Sequence, residues 1–468
     1  MLQEKIQKLL DLGMNTGYEL SEYGNMPLSD YLKKSLKRRS LKIPDSLSFL
    51  LLKKTLRAFL VSQNIYKEKQ IDFFVENLAS YPFVQRVDHG ELLIDKGTFL
   101  NNFFYQIAAR ENNIPFLLTK QCTRVKCITD RKSLLGAAFV HYRGNVYKIF
   151  DKSKSTLDIA TLETLGNVKI TYDSQNGPST CMVHPLLQPF VGQTFEQATD
   201  AVSKINTRMW DTFNIREKRP LLFINEKFCS DLISSHLGIK ESPISAILLQ
   251  KNIRDSFMET YSDISSNPAT LLKKTTDLFW IKDGIALKPL KYSSKDNCLL
   301  FTENEKVKER IPFNKDLLSE YLKNGKLYPD IVLSYLSMNV LTGVTAYGGT
   351  AQHEYLPAIT KLLLDADRKN KILPKEARTR IEQSQPSSLN FSSLLSVSNE
   401  ISETLDNMSA SFDFNAFEKY IGEKTLLELV GDLSKISYMT NIQLPPKFIQ
   451  HKKDFYISNT NLQGKERN

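Results

Sequence analysis

The chain has 468 residues, 41% hydrophobic and 24% charged, with 62 Lys and Arg against 52 Asp and Glu for a formal charge of +10. This composition excludes a disordered or fibrous chain and allows about two to three domains or one large elaborated α/β domain. The basic excess favours anionic ligands without requiring nucleic acid.

The opening MLQEKIQKLLDLG spaces Leu2, Ile6, Leu9 and Leu10 as a helical stripe and lacks the apolar run of a signal peptide. Next comes the basic run LKKSLKRRSLK, residues 32–42, which a solvated helix face explains; no nucleic-acid module stands beside it, so nucleic acid is not an expected partner. Pro44-Asp45-Ser46 marks the start of a second helix, with a stripe through Leu50, Leu51, Lys54, Leu56 and Phe59 to Val61. Lys53, Lys54 and Arg57 interrupt its apolar stretch too early for a bilayer span, so a cytoplasmic location without membrane segments is expected. Residues 1–80 read as a helical N-terminal segment.

From Tyr81 short strands and helices alternate. Phe99 to Asn113 reads as a helix feeding a buried strand, Ile114 to Val125, the repeating step of a parallel α/β sheet. NVYKIF, VKITYD and the strand Leu221 to Asn225, running into a helix from about Glu226, are expected to repeat it. Between 278 and 301, Lys-Asp-Gly between apolar runs predicts an inserted β-hairpin. The core is thus expected over 81–374, and a helical C-terminal extension, with a Ser-rich break at EQSQPSSLNFSSLLS, over 375–468.

Five cysteines, Cys122, Cys127, Cys181, Cys229 and Cys298, are odd in number and mostly far apart, which fits free thiols rather than a disulfide framework. Three clusters carry candidate chemistry. In TAYGGTAQHEYLP, Gly348 and Gly349 allow positive φ and close backbone approach, and a helix from about Gln352 would present N–H groups to an anion, with His353 closing the site. In RVDHGELLIDKGTFLNN, His89 is a candidate general acid or base, with Glu91 beside it, and Thr98, Asn101 and Asn102 mark a helix start facing the same cleft. At the strand end TKQCTRVKC, Lys120, Gln121, Thr123 and Arg124 stand where ligands collect in parallel sheets and can clamp an anion. His89, Glu91, His353 and Glu354 are also suitable types for a metal-dependent hydrolase, but no His-Glu-x-x-His helix is present and no metal ligand is assigned.

YPDIVLSYLSMNVLTGVTAYGG is similar to a stretch of the bacillithiol-biosynthesis cysteine-adding enzymes that runs from Pro-Asn and an aliphatic strand to Ala-Tyr, a glycine pair and Glu. Here Pro329-Asp330, Ile331-Val332-Leu333, Ala346-Tyr347 and Gly348-Gly349 occupy comparable places. VDHGELLIDKGTFLNNFFYQIAARENNIPFLL resembles that family's early loop, helix and strand, and the two patches together cover roughly 60 residues. Ser334 stands in place of the family's arginine, Gln352 or His353 in place of its glutamate, and Asp88-His89 in place of a Gln-Gln pair, which points to a changed substrate or to lost activity.

The resemblance implies a Rossmann-like core with insertions and a helical extension able to mediate a homodimer. It also implies an enzyme, a ligase or transferase forming a C–N bond, that joins an amino-acid-like group to a small polar acceptor such as an amino sugar, with a nucleotide such as ATP as a ligand. The rivals are the metal-dependent hydrolase and a non-catalytic interaction protein on an enzyme-derived scaffold.

Overall fold

The computed structural model describes residues 2–11, 14–37, 46–87, 92–121, 139–142, 145–152, 162–174, 183–266, 272, 274–284, 286–384, 387–389 and 412–430. Helices α1 (Leu2–Asp11), α2 (Asn15–Tyr23), α3 (Leu28–Lys37), α4 (Leu47–Gln63) and α5 (Glu68–Asn77) open the chain. Ser46 caps α4, its hydroxyl accepting from the Phe49 N–H at 3.3 Å. The buried stripe of α4 is Phe49, Leu52, Leu56 and Leu60, while Leu50 and Val61 stay exposed.

Strand β1 (Phe83–Val87), helix α6 (Lys96–Glu111) and strand β2 (Leu117–Gln121) form a parallel β-α-β unit. NVYKIF and VKITYD are not further core strands: β3 (Phe139–Tyr142), β4 (Asn145–Phe150), β5 (Gly166–Ser174) and β6 (Thr194–Gln197) make a separate antiparallel sheet. The connection from Tyr142 to Asn145 is too short for a crossover helix, so the two strands it joins can pair only antiparallel.

The core resumes with α7 (Ala198–Thr212), β7 (Leu221–Ile224), α8 (Glu226–Leu237), α9 (Pro243–Leu249) and α10 (Lys251–Ser266). The inserted hairpin, β8 (Phe279–Asp283) and β9 (Ala286–Pro289), belongs to a larger insertion than 278–301. β10 (Lys291–Ser293), β11 (Cys298–Glu303) and β12 (Lys306–Pro312) add a second antiparallel sheet, and after α11 (Lys315–Lys323) strand β13 (Leu327–Pro329) pairs with β8.

Ile331-Val332-Leu333 is helical rather than a strand. The Asp330 carboxylate accepts from the Leu333 N–H at 2.8 Å and starts α12 (Ile331–Tyr335), which continues as a π-helical turn over Leu336–Val340. Then come β14 (Thr345–Gly348), α13 (Thr350–Asn370), α14 (Lys375–Gln383) and β15 (Ser387–Leu389). The Ser-rich break thus contains a core strand. Two further helices, Phe414–Gly422 and Leu426–Val430, pack with α1 to α3 in one apolar cluster.

The protein is α/β with a Rossmann-like core: a five-stranded parallel sheet in the order β15-β14-β1-β2-β7, flanked by helices. The chain builds outward from β1 through β2 to β7, then returns to lay β14 and β15 on the other side of β1. Phe83 and Leu117 share a cluster with Phe103 of α6 and Val202 of α7. On the opposite face Val84 and Leu118 pack with Leu56 of α4 and Phe228 of α8, and Ala346 lies with Tyr355 and Ile359 of α13. The N-terminal helices therefore cover the sheet. Among the described residues no helix is long and apolar enough to cross a membrane.

His236, in the last turn of α8, is fully buried, with Nδ1 2.8 Å from Ser242 Oγ. Burial pushes its pKa down from 6.5 to about 4. The folded state therefore holds it neutral while the unfolded chain takes up a proton first. Its stabilisation is complete above pH 6.5 and declines toward about pH 4, a loss of about 3 kcal/mol in total. Urea midpoints measured across that range should fall in the parent and flatten in His236→Gln.

Candidate functional site

β1 and β14 pair in parallel, Phe83 with Thr345 through Arg86 with Gly348, so their carboxyl ends lie side by side. This is the topological switch of the sheet, where open α/β folds form their ligand crevice. Thr345–Gly348 is thus not a loop but the strand that delivers the second glycine to the crevice. Gly349 is the N-cap of α13 with φ −77° and ψ 168°, and Gly348 has φ 157°, near fully extended. Gly348 thus has a positive φ, as the sequence allows, and Gly349 does not. Gly349 has no side chain with which to cap the amino end of this 21-residue helix.

The first turn of α13 sends its side chains in three directions. Gln352 is fully buried; its Oε1 accepts from Tyr335 Oη at 3.1 Å, and its Nε2 has no partner. The Tyr335 and Tyr355 hydroxyls lie 2.7 Å apart, fixing that side of the turn to α12. His353 places Nδ1 3.1 Å from Ser387 Oγ on β15, the strand beyond β14 from β1. Glu354 accepts from the Asn15 N–H at 3.2 Å and from the Thr16 N–H and Oγ1, each at 3.0 Å. His353 and Glu354 therefore tie α13 to β15 and α2.

His89 and Glu91 lie outside the described residues, as do Thr123 and Arg124. Among the described residues, Arg86 near the carboxyl end of β1 pairs with Gly348. Among the described residues no group of three His, Cys, Asp or Glu can hold a metal.

Lys120 is not a free anion clamp. Its Nζ lies 2.5 Å from Glu226 Oε1, with both side chains fully buried, because β2 and β7 are neighbours and α8 begins directly after β7. Asn101 and Asn102 lie inside α6, which starts at Lys96. Asn101 Nδ2 donates to Gly97 O at 3.0 Å. Asn102 Nδ2 donates to Thr98 O at 2.8 Å, and its Oδ1 accepts from Thr119 Oγ1 at 3.0 Å, which clasps the helix to β2. Asp95 occupies the amino end of α6, accepting from the Thr98 N–H at 2.7 Å, so that end offers an anion no open N-cap.

Gln85 carries no motif in the sequence; it lies in the central strand, fully buried, with neither amide atom hydrogen-bonded among the described residues. Its one signal was a neutral polar residue inside FVQRV, a strand that should be apolar on both faces in a covered parallel sheet. Gln121, at the end of β2, accepts from Ser203 Oγ at 3.2 Å and leaves its buried Nε2 without a partner. Compared with protein-family models, curated proteins and solved structures, the chain matches none.

Proposed function

We propose that this protein is an enzyme that joins or transfers an amino-acid-like group to a small polar acceptor such as an amino sugar, and that it binds an anionic substrate or nucleotide between β1 and β14. The observation that carries the reading is the pairing of Arg86 with Gly348 at the switch point, beside the amino end of α13, whose N-cap Gly349 has no side chain. In this reading the N–H groups of the first turn of α13 hold a carboxylate or phosphate, and His89 or Glu91, arriving from β1, moves a proton on the reacting group. The resemblance to the cysteine-adding enzymes supplies the reaction type. A phosphate suits the α13 end and not the α6 end, where the Asp95 carboxylate would repel it. The hydrolase rival loses Glu354 as a ligand, since that carboxylate is engaged by α2.

Gly349→Ala tests the site. With φ at −77° an alanine meets no left-handed strain, so the variant should lose no more than about 1 kcal/mol of stability. If the turn binds an anion, the added methyl obstructs the approach and affinity for inorganic phosphate or ATP, read by calorimetry, should fall tenfold or more. A variant that binds both ligands as the parent does removes α13 from the site.

A further inference from the structure

Gln85 and Gln121 stand on adjacent strands. Gln85 is in register with Thr119, and Gln121 lies two residues further along β2, so both side chains project from the face covered by α6 and α7. Their Cα atoms are about 8 Å apart, the diagonal of one strand spacing and two residues' rise. The polar neighbours of Gln85 are already engaged: Tyr347 Oη with Ser35 Oγ at 3.1 Å, Thr119 with Asn102. Asn206, one turn beyond Ser203 on α7, accepts from the Leu93 N–H at 2.8 Å. Among the described residues, what remains unpaired here is one complete primary amide and one NH₂ group, all buried.

We propose that these two glutamines bind a vicinal pair of hydroxyls on an uncharged sugar ring. The assignment follows from the count of donors and acceptors. Two NH₂ groups offer four N–H donors, and the Gln85 carbonyl offers two lone pairs. A hydroxyl accepts twice and donates once, so two adjacent hydroxyls supply the complementary four acceptors and two donors. A carboxylate or phosphate, which only accepts, would leave the carbonyl unpaired. The inference deepens the reading of the sheet's carboxyl end as the ligand site and gives that ligand a neutral, hydroxyl-bearing part beside its anionic part.

Calorimetry on the full chain with adenosine, 2′,3′-dideoxyadenosine and methyl glucoside tests it. Adenosine or methyl glucoside is expected to bind, and Gln85→Met is expected to raise the ligand-free melting temperature, by removing an unpaired amide, while weakening that probe at least tenfold. Gln121→Met should weaken the same probe and serves if Gln85→Met does not fold. Binding of adenosine with loss of the dideoxy analogue assigns the diol to a nucleoside; binding of the glucoside assigns it to a free sugar. Gly349→Ala separates the two readings. Phosphate affinity that falls in Gly349→Ala, with a diol probe indifferent to both glutamine variants, overturns this inference and leaves the crevice reading standing. A diol probe lost in the glutamine variants, with phosphate affinity unmoved in Gly349→Ala, does the reverse. Failure of both adenosine and methyl glucoside to bind the parent overturns the inference outright.

Discussion

Lys120→Met is expected to cost about 4 kcal/mol of folding stability, because it takes the ammonium away from the buried Glu226 carboxylate. Both side chains are fully buried and 2.5 Å apart, and among the described residues the Lys120 ammonium also donates to Gln121 O at 3.3 Å. The double variant Lys120→Met, Glu226→Leu should recover to within about 1 kcal/mol of the parent, since apolar side chains of similar volume remove the desolvation cost of both charges. Urea denaturation of the parent, both single variants and the double variant gives the coupling energy directly. A single variant losing less than about 1 kcal/mol would show that the pair contributes no more than an exposed one. The functional consequence is equally definite. Because the ammonium is neutralised on the α8 face, affinity of the folded double variant for phosphate should stay within twofold of the parent; a larger loss would return Lys120 to the ligand site.

Glu354→Ala is expected to cost a further-reaching loss, about 4 kcal/mol concentrated at the junction of α2 and α13. The Glu354 carboxylate is the acceptor for three donors at the start of α2, where the N-cap position is Met14 and no side chain of α2's own caps the helix. A carboxylate there satisfies unpaired N–H groups and complements the helix dipole together, and each charge-assisted bond is worth roughly 1.5–3 kcal/mol. Glu354→Gln keeps an acceptor oxygen without the charge and should lose about half as much. Hydrogen exchange at the Asn15 and Thr16 amides provides the local readout: protection there should collapse in Glu354→Ala before the sheet amides are affected. Retained protection at those amides would show that another group caps α2.

The parts legible from the sequence share one property, that their cause is local. Ser46 before an apolar helix, the strand Leu221–Ile224 running into α8 behind an Asn225 cap, and the helix over Phe99 to Glu111 all follow from caps and periodicity within one element. The glycine pair was recognisable as a turn into a helix.

Short strands buried on both sides carry no alternating pattern, and so Thr345–Gly348 reads as a loop and Ser387–Leu389 as a Ser-rich break until their neighbours are known. Ser387 and Ser388 are tolerated inside because His353 and the Ser35 carbonyl pair with their hydroxyls. For the same reason a sequence cannot tell a hairpin sheet from a parallel one: β4 and β5 have the apolar residues of core strands, and only the pairing of each places them apart from the core.

The candidate site divides along the same line. The sequence by itself determined that the glycine pair turns into a helix, because turn chemistry and apolar runs are written in neighbouring residues. Only the tertiary structure decided that β1 and β14 lie together at the switch point, that Lys120 meets Glu226, that Glu354 caps α2 and that Gln85 is left without a partner. Each of these depends on which strand lies next to which, and hydrogen bonds and ion pairs between distant segments are decided by that adjacency rather than by the residues on either side in the chain.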